Sequence, residues 1–116
     1  MPNLNPLPDA RLSNAITHSR YAQRLLTSEP ERIHALAETF QQPFDRNEMQ
    51  DFLDSHTKQI TNEDKLHQIL RDLRKQVILR LIVRDINGLS DLAEVMKSMT
   101  ELAETTIQFA LWHHEN

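Results

Sequence analysis

The sequence predicts an all-α fold: a helical bundle of about five helices, with a long central helix paired to an antiparallel C-terminal helix. Three observations carry this. Turn formers are scarce, with one glycine, Gly88, and four of the five prolines before residue 31. A sheet protein needs a turn about every 8–12 residues. Apolar residues recur at spacings of three and four rather than in alternation. Two long periodic stretches, from Asn62 to Ile86 and from Asp91 to His113, are joined by a link containing Asn87-Gly88, a helix stop signal.

Met1 to Asp9 holds Pro2, Pro6 and Pro8 and reads as a flexible arm. Residues 10–116 then read as one helical domain. The first helix is expected at about Ser13–Thr27, with Leu12, Ala15, Ser19, Ala22 and Leu26 on one face. Ser28 stands as cap of a second helix, with Pro30 in its first turn and Glu31 three residues on. Ile33, Leu36, Ala37 and Phe40 are its apolar stripe, and Pro43 ends it. Asp45 caps a third helix, with Glu48 in the reciprocal position and Met49, Phe52 and Leu53 inward.

The fourth helix starts at Thr61 or Asn62 and runs to Ile86, about 37 Å. Ser90 is the expected cap of the fifth, whose stripe reads Leu92, Val95, Met96, Met99, Leu102, Ala103, Thr106, Ile107 and Ala110. The short link makes helices four and five an antiparallel pair.

The fourth helix changes faces. At about 100° per residue from Arg71, the side chains of Leu66, Ile69, Leu70, Leu73 and Val77 form one stripe. Arg80 and Arg84 continue that stripe, while Ile78, Leu79, Ile82, Val83 and Ile86 spread around the other sides. A helix that is apolar nearly all round is surrounded by protein. Two readings stay open for the arginines: they lay their stems on the core and snorkel to water or a carboxylate, or they face something outside this chain. Five helices are expected to leave the second apolar set as an open patch beside Arg80 and Arg84. That patch, with the end of the fifth helix near Phe109 and Trp112, predicts weak self-association.

The composition excludes several function classes. Without cysteine there is no disulfide, thiolate nucleophile or cysteine zinc site. The net charge of −4 disfavours nucleic acid as a partner, and with it a DNA-binding helix-turn-helix protein. No apolar run approaches the roughly 20 residues of a membrane span. The first residues lack a signal peptide's charged and apolar regions, so a cytoplasmic location is expected. The six histidines, His18, His34, His56, His67, His113 and His114, form no H-x-x-x-H pair. Asp51 with Asp54, and Glu101 with Glu104, read as exposed helix charge. No catalytic, cofactor-binding or metal residue is expected in this chain.

The order of motifs adds a resemblance. Ser13 to Tyr21 reads S-x-x-x-x-x-S-x-Y, followed by Leu25, Leu26 and S-E-P-E-R-I at Ser28–Ile33. Then come L-R-D-L-R-K-Q-V-I-L-R-L-I-V-R-D-I-N-G-L from Leu70 and L-A-E-V-M-K-S-M-T-E-L-A-E-T-T-I from Leu92. Over about Ser13–Trp112 this resembles the N-terminal region of the bacterial glutamine synthetase adenylyltransferase family, bifunctional enzymes that also remove the adenylyl group. The segment from Leu70 to Ala103 is the more specific part.

The resemblance implies two nucleotidyltransferase domains in the whole enzyme, each preceded by a helical region, and control of nitrogen assimilation. It associates the N-terminal half with deadenylylation. Glutamine synthetase and the PII signal protein are the implied partners, and ATP and Mg²⁺ the implied cofactors. The chemistry would belong to a motif of the type G-K-x-G-x-x-E-L-x-x-x-S-D-x-D, whose carboxylates hold the metal. This chain reaches Asn116 without it, so the expectation is a non-catalytic helical fragment. Arg71, Arg74, Arg80, Arg84 and Asp85 match the family pattern and are the candidates for packing or docking against the enzyme's own nucleotidyltransferase domain. The alternative is a stand-alone helical interaction module or regulatory adaptor.

Overall fold

The structure is a computed structural model describing residues 10–115, so the arm expected over Met1–Asp9 lies outside the described residues. Among these there are six α-helices, one 3₁₀ turn and no strand. In order they are α1 Ala10–His18, α2 Arg20–Ser28, α3 Arg32–Thr39, α4 Arg46–Ser55, the 3₁₀ turn Thr57–Gln59, α5 Glu63–Ile86 and α6 Leu92–Glu115. The all-α class holds, with one helix more than the sequence predicts. Among the described residues the helices group into two compact units: 10–43 with Leu79–Asp91, and Phe44–Ile78 with 92–115. Helix α5 contributes to both.

The extra helix comes from Ser19. Instead of lying inside one helix, Ser19 adopts an extended backbone (φ −129°, ψ 114°). Its hydroxyl accepts the Ala22 N–H at 3.1 Å, capping α2. Serine offers the backbone this alternative to the helical ladder, and here it wins. The capping box expected at Ser28 does not form: Ser28 is the last residue of α2, and α3 starts after Glu31 without a side-chain cap. Glu29 is occupied instead by Arg32, whose Nε and Nη2 donate to Oε1 at 3.1 and 2.9 Å.

In the first unit, Leu12, Ala15, Ile16, Ala22, Leu25, Leu26, Leu36 and Phe40 form one buried cluster with Leu79 and Val83 of α5. Ile82 and Ile86 pack against it. The open patch expected on this end of α5 is therefore absent. Three short helices can approach a segment from several directions, where one long partner covers a single side. Each fully buried aliphatic or aromatic side chain contributes about 1.5–3 kcal/mol.

Gly88 (φ +70°) ends α5 as the sequence predicts. The Leu89 N–H donates to the Arg84 carbonyl at 2.7 Å and the Gly88 N–H to the Asp85 carbonyl at 3.1 Å, the two bonds of a Schellman end. Asn87 ties this end to α1, its Nδ2 donating to the carbonyls of Arg11 (2.9 Å) and Val83 (2.8 Å).

In the second unit, Asp45 caps α4 as expected, its carboxylate accepting the Glu48 N–H at 2.8 Å. The Asn62 side chain does the same for α5 through Lys65 N–H at 2.8 Å. Ser90 is not the cap expected for α6: the helix starts at Leu92, and the buried Ser90 hydroxyl has no hydrogen-bond partner among the described residues. Met49, Leu53, Leu66, Ile69, Leu73, Val77, Leu102 and Phe109 are the buried apolar side chains of this unit's helices.

Candidate docking surface

The five candidate residues separate into two kinds. Arg80 and Arg84 are buried, each 5% exposed, whereas Arg71, Arg74 and Asp85 are exposed. Arg84 is used within its own unit. Its Nη1 donates to the carbonyls of Phe40 (3.2 Å) and Gln41 (2.8 Å), and its Nη2 to that of Leu89 (2.9 Å). The first two lie at the C-terminal end of α3, where carbonyls lack helical donors and the helix dipole favours a cation. A buried guanidinium is tolerable because its planar fork is met by several acceptors. Arg84 thus reaches backbone carbonyls of its own unit, acceptors that neither sequence reading names.

Helix α6 carries two faces. The buried one is Ser98, Leu102, Thr105 and Phe109, a spacing of four, three and four. Two of these four are small and polar, which lets helix backbones come close, and α6 makes its closest helix pairing with α4. Arg46 of α4 reinforces that pairing, with Nε 3.5 Å from Glu101 and a hydrogen bond from Nη2 to Glu104. The Glu104 hydrogen bond is the largest influence raising the Arg46 pKa above its ordinary value; desolvation, next in size, opposes it, and the charges of Glu104 and Glu101 add to the rise. The carboxylate pair read from sequence as plain surface charge thus serves as a bracket for α4.

The second face is the stripe that the sequence assigns to the core, and much of it is uncovered. Leu92 is 74% exposed, Met96 62% and Ile107 58%, with Met99 and Ala103 exposed between them. Leu111 extends the apolar surface toward the C-terminal end, while the exposed Trp112 lines a separate hollow with Gln50, Asp54 and Thr57. The apolar period is legible, but not which of two faces about 130° apart is buried. The signal for the buried face was the heptad-like run of Ser98, Leu102, Thr105 and Phe109.

Beside this stripe lies a groove of about 300 Å³ between α5 and α6 of the same unit. Leu70, Arg71 and Arg74 form one wall, and Leu102, Thr106, Ile107 and Ala110 the other. Further along, Glu63, Leu66 and His67 face Ala110 through His114, so the two helices run antiparallel here, as expected. Arg71 and Arg74 have no hydrogen bond or ion pair among the described residues. What this surface gathers is aliphatic side chains and two guanidinium groups. Such a surface can bind and orient. No group of three or more His, Cys, Asp or Glu able to hold a metal occurs among the described residues.

Residues 10–115 match the family model described as glutamate-ammonia ligase adenylyltransferase. The bifunctional glutamine synthetase adenylyltransferase/adenylyl-removing enzyme of Nitrosomonas eutropha is 49% identical over 100 residues, covering 86% of this chain and 11% of the relative. The enzyme of the same name from Nitrosomonas europaea is 48% identical over the same coverage. That of Aromatoleum aromaticum is 40% identical over 104 residues, 90% of this chain and 11% of the relative. No solved structure matches. The chain spans about 11% of the length of these curated relatives, and the match extends through all six helices. It belongs to the glutamate-ammonia ligase adenylyltransferase family.

Proposed function

We propose that this chain is a non-catalytic helical part of an enzyme that adenylylates and deadenylylates glutamine synthetase, and that it serves the deadenylylating half by docking against that half's nucleotidyltransferase domain. One observation carries the docking: the apolar stripe along α6, open from Leu92 to Ile107, on a chain whose relatives are about eight times as long. Apolar patches of this kind attract a partner. Arg71 and Arg74 are the docking arginines, while Arg84 and the buried Arg80 hold the scaffold that presents them.

ATP, Mg²⁺, glutamine synthetase and PII then belong to the whole enzyme in the cytoplasm. Among the described residues, no helix is long and apolar enough to cross a membrane.

The test uses the Nitrosomonas eutropha relative produced without the stretch matching this chain. Adding this chain in trans should restore release of AMP from adenylylated glutamine synthetase and should co-elute with the truncated enzyme. Full deadenylylation without the chain, or no co-elution, would sink the reading.

A further inference from the structure

We propose that the groove between α5 and α6 receives an amphipathic helix carrying carboxylates along one edge of its apolar stripe. This rests on the docking reading above and names the chemistry of what docks.

The apolar part of the fit is set by length and direction. The uncovered stripe from Leu92 to Ile107 extends about 22 Å, four turns of a helix. It meets the groove at Ile107, which belongs to both. A helix laid in such a cleft anchors through residues at i, i+3 or i+4, and i+7.

The charge part comes from Arg71 and Arg74. The chain as a whole is acidic, at −4, yet this edge presents two exposed arginines with no partner among the described residues. They stand three residues apart, about 4.5 Å along α5. Carboxylates spaced three or four apart on an incoming helix would meet both, and each guanidinium fork suits a bidentate carboxylate.

A second copy of this chain fits less well. A two-fold contact through this groove brings the same patch against itself, and so sets Arg71 and Arg74 toward their own counterparts.

Fluorescence anisotropy of the whole chain with labelled synthetic helices of about 20 residues tests this. One peptide carries leucines at three-four spacing flanked by glutamates; its control carries lysines in place of the glutamates. The acidic peptide should bind about tenfold or more tightly than the lysine peptide, and added salt should narrow the gap. The double variant Arg71→Glu, Arg74→Glu should invert the preference while keeping the helical circular dichroism of the parent. Equal binding of the two peptides, or none, would overturn the proposal. So would a dimer in sedimentation equilibrium that Ile107→Glu dissolves, which would assign the groove to a second copy. If the double variant still restores deadenylylation in trans as well as the parent does, docking stands and the acidic helix falls.

Discussion

The two units of this chain bury their apolar residues to very different extents. In the unit built on α1, α2, α3 and the end of α5, the large apolar side chains are buried or half-buried, and among the described residues Tyr21 alone is exposed. In the unit built on α4, most of α5 and α6, Leu92, Met96, Met99, Ile107, Leu111 and Trp112 all face outward. The difference follows from helix length and number. Helices of eight and nine residues can meet a segment of α5 from several sides. The 24-residue α6 has apolar residues on two faces, and one of them stays open after α4 has taken the other. A closed unit tolerates little change inside it, whereas an open face is free to vary until a partner arrives.

The largest test of that contrast is Phe40→Ala. Phe40 is fully buried, with the Arg11 guanidinium 4.9 Å from its ring centre. Its loss should cost about 4 kcal/mol in urea melts, from lost transfer energy and the cavity left behind. Arg84→Met comes next. It keeps the stem but strands three carbonyls, and should cost about 2 kcal/mol, with Arg84→Lys recovering only part of it because an ammonium lacks the fork. The smallest effect belongs to the open face. Ile107→Ser should change stability by less than about 0.5 kcal/mol. A melt in which Ile107→Ser costs as much as Phe40→Ala would erase the distinction between the units.

Several features were legible from residues alone because their causes are local. Asp45 with the Glu48 N–H, and Gly88 at the end of α5, need only a few neighbours to act. Helical geometry also fixes the spread of apolar residues to new sides of α5 past Val77, but with Arg80 and Arg84 buried as well the buried surface widens there rather than changing faces. The break at Ser19 was not legible, since the same serine fits either a continuous helix or a cap, and packing of α1 and α2 decides. The buried side of α6 was hidden by its chemistry. Ser98 and Thr105 look like surface residues, yet their small size suits the close pairing with α4 better than Met96 or Leu92 would. As for the candidate surface, the sequence points to Arg71 and Arg74 but assigns the exposed stripe beside them to the core.

Arg84 has one more consequence, for the way the first unit opens. Its backbone carbonyl accepts the Leu89 N–H that closes α5, and its side chain holds the carbonyls at the end of α3. Fraying of α5 past Arg84 therefore releases α3 as well, although the two segments lie more than forty residues apart in the chain. Ends that would ordinarily unravel one at a time become a single cooperative element, whose amide protons exchange together rather than in a gradient from the tips.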